Sequence, residues 1–541
     1  MLFAVFIILL VVSHVSLLRL PYFWDEAGYY VPAARDLLSG SLIPYSTPSN
    51  AHPPLVMAWI ALCWRIFGES PFATRCAMLV LAALSLLGLF RLARAVSNPT
   101  VAAATTFLTA IYPVFFAQSS LAQVDLPAAG LCFWGLDAYV RRRRTPTAIW
   151  FSLAALTKET AILVPLALCG WEVALILFPR EMLASVEHRL DVDRFQGAGR
   201  SRKESCDRLL ALVMPILPLA LWYGYHYART GFVFGNPEFF RYNVQSNFHL
   251  LRIALAFLLR IWQTIGYLNL YVLTAACILA MMYPAQPTVL LPAVKKEEAA
   301  SGLRARIPAG IQISFLAVAS VYIVALSVLG GAVLARYMLP VVPLFILICV
   351  STVWRRLRAW KAVIAVVAAA FVGALFVNPP YGFAPEDNLG YRDYIRLHEG
   401  AAAFIQSQYP RARVLTAWPA SDELSRPNLG YVSRPIQVVR IEDFTAEQLL
   451  AAADEQSRFD VALVFSTKYQ PPPTLFDHWR RWQIWKTRYF GYHVDLGPEA
   501  AAAVLGGKLA YVERRKGQWV SVIELQKIEV ARSAGTPSFR P

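Results

Sequence analysis

Charged residues are scarce in this sequence of 541 residues. They make up 16% of the chain, whereas hydrophobic residues make up 57%. A soluble globular protein would carry about a quarter charged residues, so the shortage excludes an ordinary soluble protein. The apolar residues also stand in long blocks, at 3–18, 101–116, 162–177 and 362–377. Blocks of nearly twenty residues can cross a bilayer, which predicts a polytopic α-helical membrane protein.

Cysteine pairs and common catalytic motifs are absent as well. The seven cysteines are scattered, and no two form a CxxC pair, which excludes a disulfide framework and a cysteine zinc site. The sequence contains no HExxH, no Gly-rich phosphate loop and no GxSxG. It also has no base-reading pattern of aromatic and basic residues, so no nucleic acid partner is predicted.

The net charge of +16 is concentrated in alternate short loops. These basic loops lie near 91–94, 141–144, 180–203, 295–306 and 355–361. Positive charge between spans marks the cytoplasmic side of a membrane protein. We predict about eleven spans, near 2–19, 72–90, 100–117, 126–140, 147–157, 161–178, 208–227, 261–283, 309–328, 338–354 and 362–377. The N-terminus is then cytoplasmic and forms a retained first span, and everything after residue 378 is extracytoplasmic.

This topology predicts three extracytoplasmic regions. The external loop 20–71 has apolar residues at helical spacing over 26–38 and 55–67, which indicates two interfacial helices. The loop 228–260 contains Tyr242, Asn243 and Gln245 and ends in a third interfacial helix. Helix and strand patterns alternate after residue 378. We therefore predict a transmembrane domain over 1–377 and an extracytoplasmic α/β domain over 378–541.

The strongest functional signal is the adjacent acid pair Asp25 and Glu26, directly after the first span. Carboxylates at a bilayer edge are costly to desolvate, which favours a functional role over a stabilising one. The alternative is an acidic N-cap of the interfacial helix.

Other charged residues also stand at span ends on the predicted outer side. Asp125 opens the fourth span, Lys158 lies between the fifth and sixth, and Arg336 opens the tenth. A guanidinium suits a phosphate and a carboxylate can take a proton from a hydroxyl, so such a cluster suits transfer from a lipid phosphate. The alternatives are an N-cap for Asp125 and snorkelling to the interface for Lys158 and Arg336. His52, before two prolines, could bind phosphate, bind a metal or cap a helix.

Five short segments, taken in order, resemble the GT-C membrane glycosyltransferases. They are most similar to the bacterial branch related to protein O-mannosyltransferases and to the aminoarabinose transferase that acts on lipid A. The segments are Trp24–Tyr30, His52–Leu55, Val124–Pro127, Leu156–Glu159 and Arg336–Pro340. The resemblance covers roughly residues 1–380. The chain departs from the family pattern twice: Ala51 stands where an acid commonly precedes the His-Pro-Pro stretch, and Glu159 stands where glycine commonly follows Thr-Lys.

The resemblance implies a multi-pass enzyme of the bacterial inner (plasma) membrane. It would move a sugar from a polyprenyl-phosphate-linked donor to an extracytoplasmic acceptor, with inversion. Asp25 would be the catalytic base, helped by Glu26 and Asp125, and Lys158, Arg336, Tyr337 and His52 would bind the donor phosphate. A divalent metal ion is left open as a cofactor, with His52 and Glu26 as candidate ligands.

Two alternatives of other classes remain at this point. The chain could be a transporter or flippase of a lipid-linked sugar, although its charges lie on one side rather than at the midplane and no inverted repeat is visible. Alternatively, the external α/β domain could be the functional part and the spans its anchor.

Overall fold

A computed structural model of the protein describes residues 1–177, 202–235, 237, 248–287, 303–473 and 475–525. The predicted basic segments 180–201 and 295–302, as well as Tyr242, Asn243 and Gln245, lie outside these residues. The helices of the N-terminal region are α1 Leu2–His14, α2 Val31–Leu38, α3 Leu55–Phe67, α4 Pro71–Val96, α5 Pro99–Ile111, α6 Pro113–Gln118, α7 Asp125–Val140, α8 Arg144–Thr157, α9 Leu163–Leu177, α10 Arg202–Val213, α11 Ile216–Thr230, α12 Leu250–Ile265, α13 Leu270–Met281, α14 Ala309–Val328, α15 Val342–Arg356 and α16 Trp360–Phe376. Each predicted span falls on one or two of them.

Many of these helices are apolar on their outside. Among the described residues, five helical segments are long and apolar enough to cross a membrane, and four more helices are apolar but shorter. Their outward side chains include Leu9, Leu221, Ile278, Leu316 and Val366, each at least 60% exposed. Exposed apolar area on this scale is unfavourable in water and favourable in lipid. The chain is therefore an integral membrane protein, as the sequence predicts.

Helices α4 and α7 pack closely, because small residues line their seam. A Cβ at Gly130 would lie 1.8 Å from Ser85 Oγ, and one at Gly88 would lie 2.7 Å from the Trp134 ring. Small residues let membrane helices approach to backbone contact. Trp134 Nε1 also donates to the Leu84 carbonyl at 2.9 Å. This seam fixes the first turn of α7, which begins at Asp125, relative to α4.

Two predicted site residues each follow a residue in the left-handed region of backbone space. Trp24 has φ of 44° and precedes Asp25, and Ala51 has φ of 57° and precedes His52. Non-glycine residues rarely adopt such angles, and they concentrate at functional sites. Asp25 is followed at once by a π-helical turn, Glu26–Tyr30, another feature frequent at such sites.

The described chain divides into two compact units. The first comprises residues 1–395 and 471–492, and the second comprises 396–470 and 493–541, of which 526–541 lie outside the described residues. Helix α17 Gly390–Gln408 contains the change from one unit to the other at residue 395. The domain boundary predicted at 378 stays a prediction.

The second unit is built on a five-stranded sheet. Its strands are β1 Arg413–Ala417, β2 Gln437–Ile441, β3 Val461–Phe465, β4 Gly507–Arg515 and β5 Gln518–Leu525, in the order β2-β1-β3-β5-β4. The first three are parallel and the last two form an antiparallel hairpin turned at Gly517. Its short helices are α18 Ala420–Ser425, α19 Ala446–Ala453 and α21 Pro498–Val504, whereas α20 Arg480–Phe490 belongs to the first unit. The predicted α/β character of this region is confirmed.

Candidate active site

Arg336 lies at the centre of a buried cluster of charged side chains in the first unit. It is carried by the short 3₁₀ turn Ala335–Met338, and its side chain is 2% exposed. Its guanidinium donates to Asp25 Oδ2 at 2.5 Å and to Glu386 Oε1. Its Nε also lies 3.1 Å from Asp125 Oδ2, an ion pair without hydrogen-bond geometry. Burial lowers the pKa of Arg336, but Asp25 and Asp125 outweigh that effect and raise it above its usual value.

Lys158 and Tyr337 complete this cluster. Lys158 Nζ donates to Asp125 Oδ1 and lies 3.8 Å from the centre of the Tyr337 ring. The Arg336 guanidinium lies 5.6 Å from the same ring. The structure therefore brings Asp25, Asp125, Lys158, Arg336 and Tyr337 together from four separate parts of the sequence.

The three acids around Arg336 differ in how far their side chains are exposed to solvent. The Asp25 side chain is 21% exposed, against 2% for Asp125 and 6% for Glu386. A base must reach the proton that it removes. Asp25 is thus the most accessible carboxylate around Arg336.

Arg260 is a member of this site that sequence reasoning placed only in an interfacial helix. It is 0% exposed, and its guanidinium lies 5.5 Å from the Tyr337 ring. One terminal nitrogen donates to Gln263 Oε1 at 2.9 Å and to the Leu334 carbonyl at 2.7 Å. Its Nε and Nη2 have no hydrogen-bond partner within the described part of the chain. Buried N–H groups without a partner are costly unless an acceptor reaches them.

Glu26 is not part of the cluster, contrary to its predicted role as helper of Asp25. Its two oxygens form a bidentate pair with Arg75 at 2.7 and 3.0 Å, and both side chains are 0% exposed. Glu26 also accepts from the backbone amides of Phe23 and Ala122. The π-helical turn points the two neighbouring acids to different partners. The geometry gives Glu26 a structural role, tying the loop that carries Asp25 to α4.

The contacts of Arg336 also differ from those expected for its predicted role as a ligand of the donor phosphate. A phosphate-binding guanidinium needs donors that it can offer to the phosphate. Here the carboxylates of Asp25, Asp125 and Glu386 surround the Arg336 guanidinium. In this arrangement Arg336 holds Asp25 in place, and Arg260 is the better placed donor of free N–H groups.

His52 lies at the edge of the same site. Its Nδ1 is 2.8 Å from Glu159 Oε2, and its ring stacks on Tyr30 with the centroids 6.1 Å apart. Tyr30 in turn lies close enough to Asp25, Asp125, Arg336 and Tyr337 to interact with them electrostatically. The loop before His52 is fixed to α11, because Trp222 Nε1 donates to the Ala51 carbonyl and Ser49 bonds to His226.

The proposed metal ligands do not share a site. His52 contacts Glu159, whereas Glu26 is occupied by Arg75. Across the described ranges, no three His, Cys, Asp or Glu side chains are grouped so that they could hold a metal ion. A metal requirement stays a prediction.

Glu386 and Asp387 form a second acid pair that the sequence reasoning missed. They follow α16 as Asp25 and Glu26 follow α1, so an acid pair after a span end was the available signal. Glu386 contacts Arg336, and its carbonyl accepts from Gln118 Nε2 at 3.1 Å. Tyr267 donates its hydroxyl to Asp387 Oδ2 at 2.6 Å. The pair therefore anchors the segment after α16 to the site.

Asp387 makes stability dependent on pH. Burial raises the pKa of Asp387 to about 6 from an ordinary value of 3.8. Because the folded carboxyl binds its proton more tightly than the unfolded one, stability is highest below about pH 4 for this group and falls as pH rises to about 6. The loss is on the order of 3 kcal/mol. We expect Asp387→Asn to remove this pH dependence. The thermal midpoint of the variant should exceed that of the wild type by more at pH 7.5 than at pH 5. An equal difference in thermal midpoint at the two pH values would contradict the assignment.

The fold of this integral membrane protein resembles that of the GT-C membrane glycosyltransferases. Residues 51–189 match the family described as dolichyl-phosphate-mannose-protein mannosyltransferase. The fold is similar to that of ArnT from Cupriavidus metallidurans, crystallised with undecaprenyl phosphate, at 15% identity and a TM-score of 0.50, over 96% of this chain and 97% of that chain. The resemblance predicted from the sequence is confirmed.

A second solved structure is similar at a lower level. It is the Archaeoglobus fulgidus oligosaccharyltransferase in complex with zinc and sulfate, at 11% identity and a TM-score of 0.42, over 86% of this chain and 68% of that chain. A comparison with curated protein sequences finds no match.

Proposed function

We propose that this protein is a glycosyltransferase that moves a sugar from a polyprenyl-phosphate-linked donor to an extracytoplasmic acceptor. The observation that carries the proposal is the convergence of Asp25, Asp125, Lys158 and Arg336 in one cluster. Capping or snorkelling would account for each residue singly, but neither would bring residues from separate segments into mutual contact. The undecaprenyl phosphate bound to the similar ArnT structure supports the choice of donor class.

In this proposal Asp25 is the general base. It is the most exposed acid around Arg336, and the ion pair at 2.5 Å keeps it oriented. Asp25 takes the proton from an acceptor hydroxyl while that oxygen attacks the anomeric carbon of the donor sugar. The bond from that carbon to the phosphate oxygen breaks, and the lipid phosphate leaves with the electron pair. A single displacement inverts the anomeric centre.

The leaving phosphate needs cations, and three lie around one ring. Lys158, Arg260 and Arg336 are within 3.8, 5.5 and 5.6 Å of the centre of Tyr337. Arg260 supplies the unpartnered N–H groups, and Lys158 supplies a point charge held by Asp125. Such fixed charges stabilise the developing negative charge without reorganisation at the moment of reaction. Asp125 and Glu386 act by holding the cations.

The proposed location is the bacterial inner membrane, with the site and the sheet-containing unit on the extracytoplasmic side. The support is the distribution of arginines. For example, Arg141 to Arg144 lie where α7 ends and α8 begins, whereas Asp125 lies at the other end of α7. The acceptor is a hydroxyl of a protein, lipid or glycan.

Transfer is tested in proteoliposomes with radiolabelled polyprenyl-phosphate sugars and a cell-envelope extract as acceptor. We expect label to move to the extract and free polyprenyl phosphate to accumulate. Movement of the labelled lipid between leaflets without acceptor, and without release of polyprenyl phosphate, would instead support a flippase and contradict the proposal.

We expect Arg260→Met to weaken undecaprenyl phosphate binding by about tenfold to a hundredfold, because a buried charged donor to the phosphate is lost. Arg252→Met is the matched control. It lies two turns earlier on α12, is 1% exposed, and bonds through both terminal nitrogens to backbone carbonyls of Ser327 and Gly330. Binding is measured by tryptophan fluorescence titration in detergent. Equal effects of the two substitutions would argue against a phosphate contact at Arg260.

A further inference from the structure

The two positions at which the chain departs from the family pattern meet in space. One departure is Ala51, in place of an acid before His52, and the other is Glu159, in place of glycine after Lys158. These segments lie more than a hundred residues apart in the sequence. In the structure, Glu159 Oε2 is 2.8 Å from His52 Nδ1. A carboxylate thus stands beside this histidine, contributed by another part of the chain.

The surroundings of the pair connect it to the reacting groups. Glu159 follows directly on Lys158, and the His52 ring stacks on Tyr30, which has Asp25 and Arg336 as electrostatic neighbours. The side chains of His52 and Glu159 are 12% and 28% exposed, so the pair lies at the edge of the site that solvent reaches.

The charges at the site give the pair a function. The site contains four carboxylates, those of Asp25, Asp125, Glu159 and Glu386, and three basic side chains, those of Lys158, Arg260 and Arg336. A donor phosphate adds further negative charge. A further ligand of that phosphate is therefore favourable, and a carboxylate on Nδ1 fixes the orientation of the His52 ring.

We infer that Glu159 is a positioning residue that orients the His52 ring toward the donor phosphate. Glu159 acts through His52 and does not touch the donor. This inference rests on the proposed function, because it takes a lipid phosphate as the ligand of the site. A carboxylate that acted only through its own charge would repel the phosphate, so the two possibilities predict opposite effects.

The test is a double-mutant cycle on binding of undecaprenyl phosphate to the full-length protein in detergent. We expect Glu159→Gln and His52→Ala each to weaken binding roughly tenfold. The double variant should bind no more weakly than His52→Ala alone. A lysine at position 52 needs no carboxylate to orient it toward the phosphate, so His52→Lys combined with Glu159→Gln should bind nearly as well as the wild type. Glu69→Gln, an acid on the same external loop, should change nothing.

The outcomes separate this inference from the proposed function. Tighter or unchanged binding in Glu159→Gln overturns the inference, and so do additive losses in the double variant. Binding by Glu159→Gln that stays weak after His52→Lys also overturns it, since a purely structural role would not respond to the lysine. Failure of the wild type to bind undecaprenyl phosphate overturns the proposed function and this inference with it.

Discussion

Asp25→Asn is expected to reduce sugar transfer on the order of a thousandfold while the protein stays folded in the membrane. The substitution preserves the shape of the side chain and removes its ability to take a proton. Stability should change little, because Arg336 keeps its contacts with Asp125 and Glu386 and the Asp25 side chain is partly exposed. Transfer is measured with saturating donor, and folding by the thermal midpoint in detergent.

The matched control for this experiment is Glu69→Gln. Glu69 also lies on the external loop, and its only ion pair among the described residues is a 3.4 Å contact with Arg35. It should retain full activity. Transfer by Asp25→Asn at a rate near that of the wild type would exclude Asp25 as the base and direct attention to Asp125 or Glu386.

Glu26→Gln is expected to produce the opposite result, a loss of stability rather than of chemistry. Glu26 and Arg75 form a fully buried bidentate pair, and the amide would leave the Arg75 charge without a carboxylate. Removing one partner of a buried pair costs roughly 3–5 kcal/mol. The thermal midpoint should fall by several degrees, and the protein that remains folded should keep much of its transfer rate.

The two adjacent acids are thus expected to give opposite results, a loss of transfer for Asp25→Asn and a loss of stability for Glu26→Gln. A normal thermal midpoint with lost transfer in Glu26→Gln would show that Glu26 takes part in the reaction after all. The variant Arg75→Met provides the second measurement, because it breaks the same pair from α4 without altering either acid. Similar losses of stability from the two substitutions would confirm that the pair acts as an anchor.

The sequence was sufficient to predict features that depend on residues close together in the chain. Apolar blocks placed the spans on helices, and the alternation of helix and strand patterns after residue 378 predicted the α/β character of the second unit. Charged residues at span ends also identified Asp25, Asp125, Lys158 and Arg336, since an ionised group at a bilayer edge has few structural reasons to be there.

The other features of the site depend on contacts between residues that are distant in the sequence, and no local pattern predicts such contacts. The different directions of Asp25 and Glu26 result from a π-helical turn and from Arg75, 49 residues away from Glu26. Arg260 lies on a helix with an apolar and a polar face, which looks interfacial in sequence, and only packing against the Tyr337 turn shows it to be buried. The pairing of His52 with Glu159 likewise spans 107 residues.

The close seam between α4 and α7 has a consequence for the cost of catalysis. Through Gly130 and Gly88 it fixes α4, which carries Arg75, against α7, which begins at Asp125. Arg75 holds the loop of Asp25, and Asp125 holds Lys158. The proposed base Asp25 and the proposed phosphate ligand Lys158 are thus held by one preorganised pair of helices, whose conformational entropy is lost once, during folding. In the proposed reaction, donor binding then has little left to order.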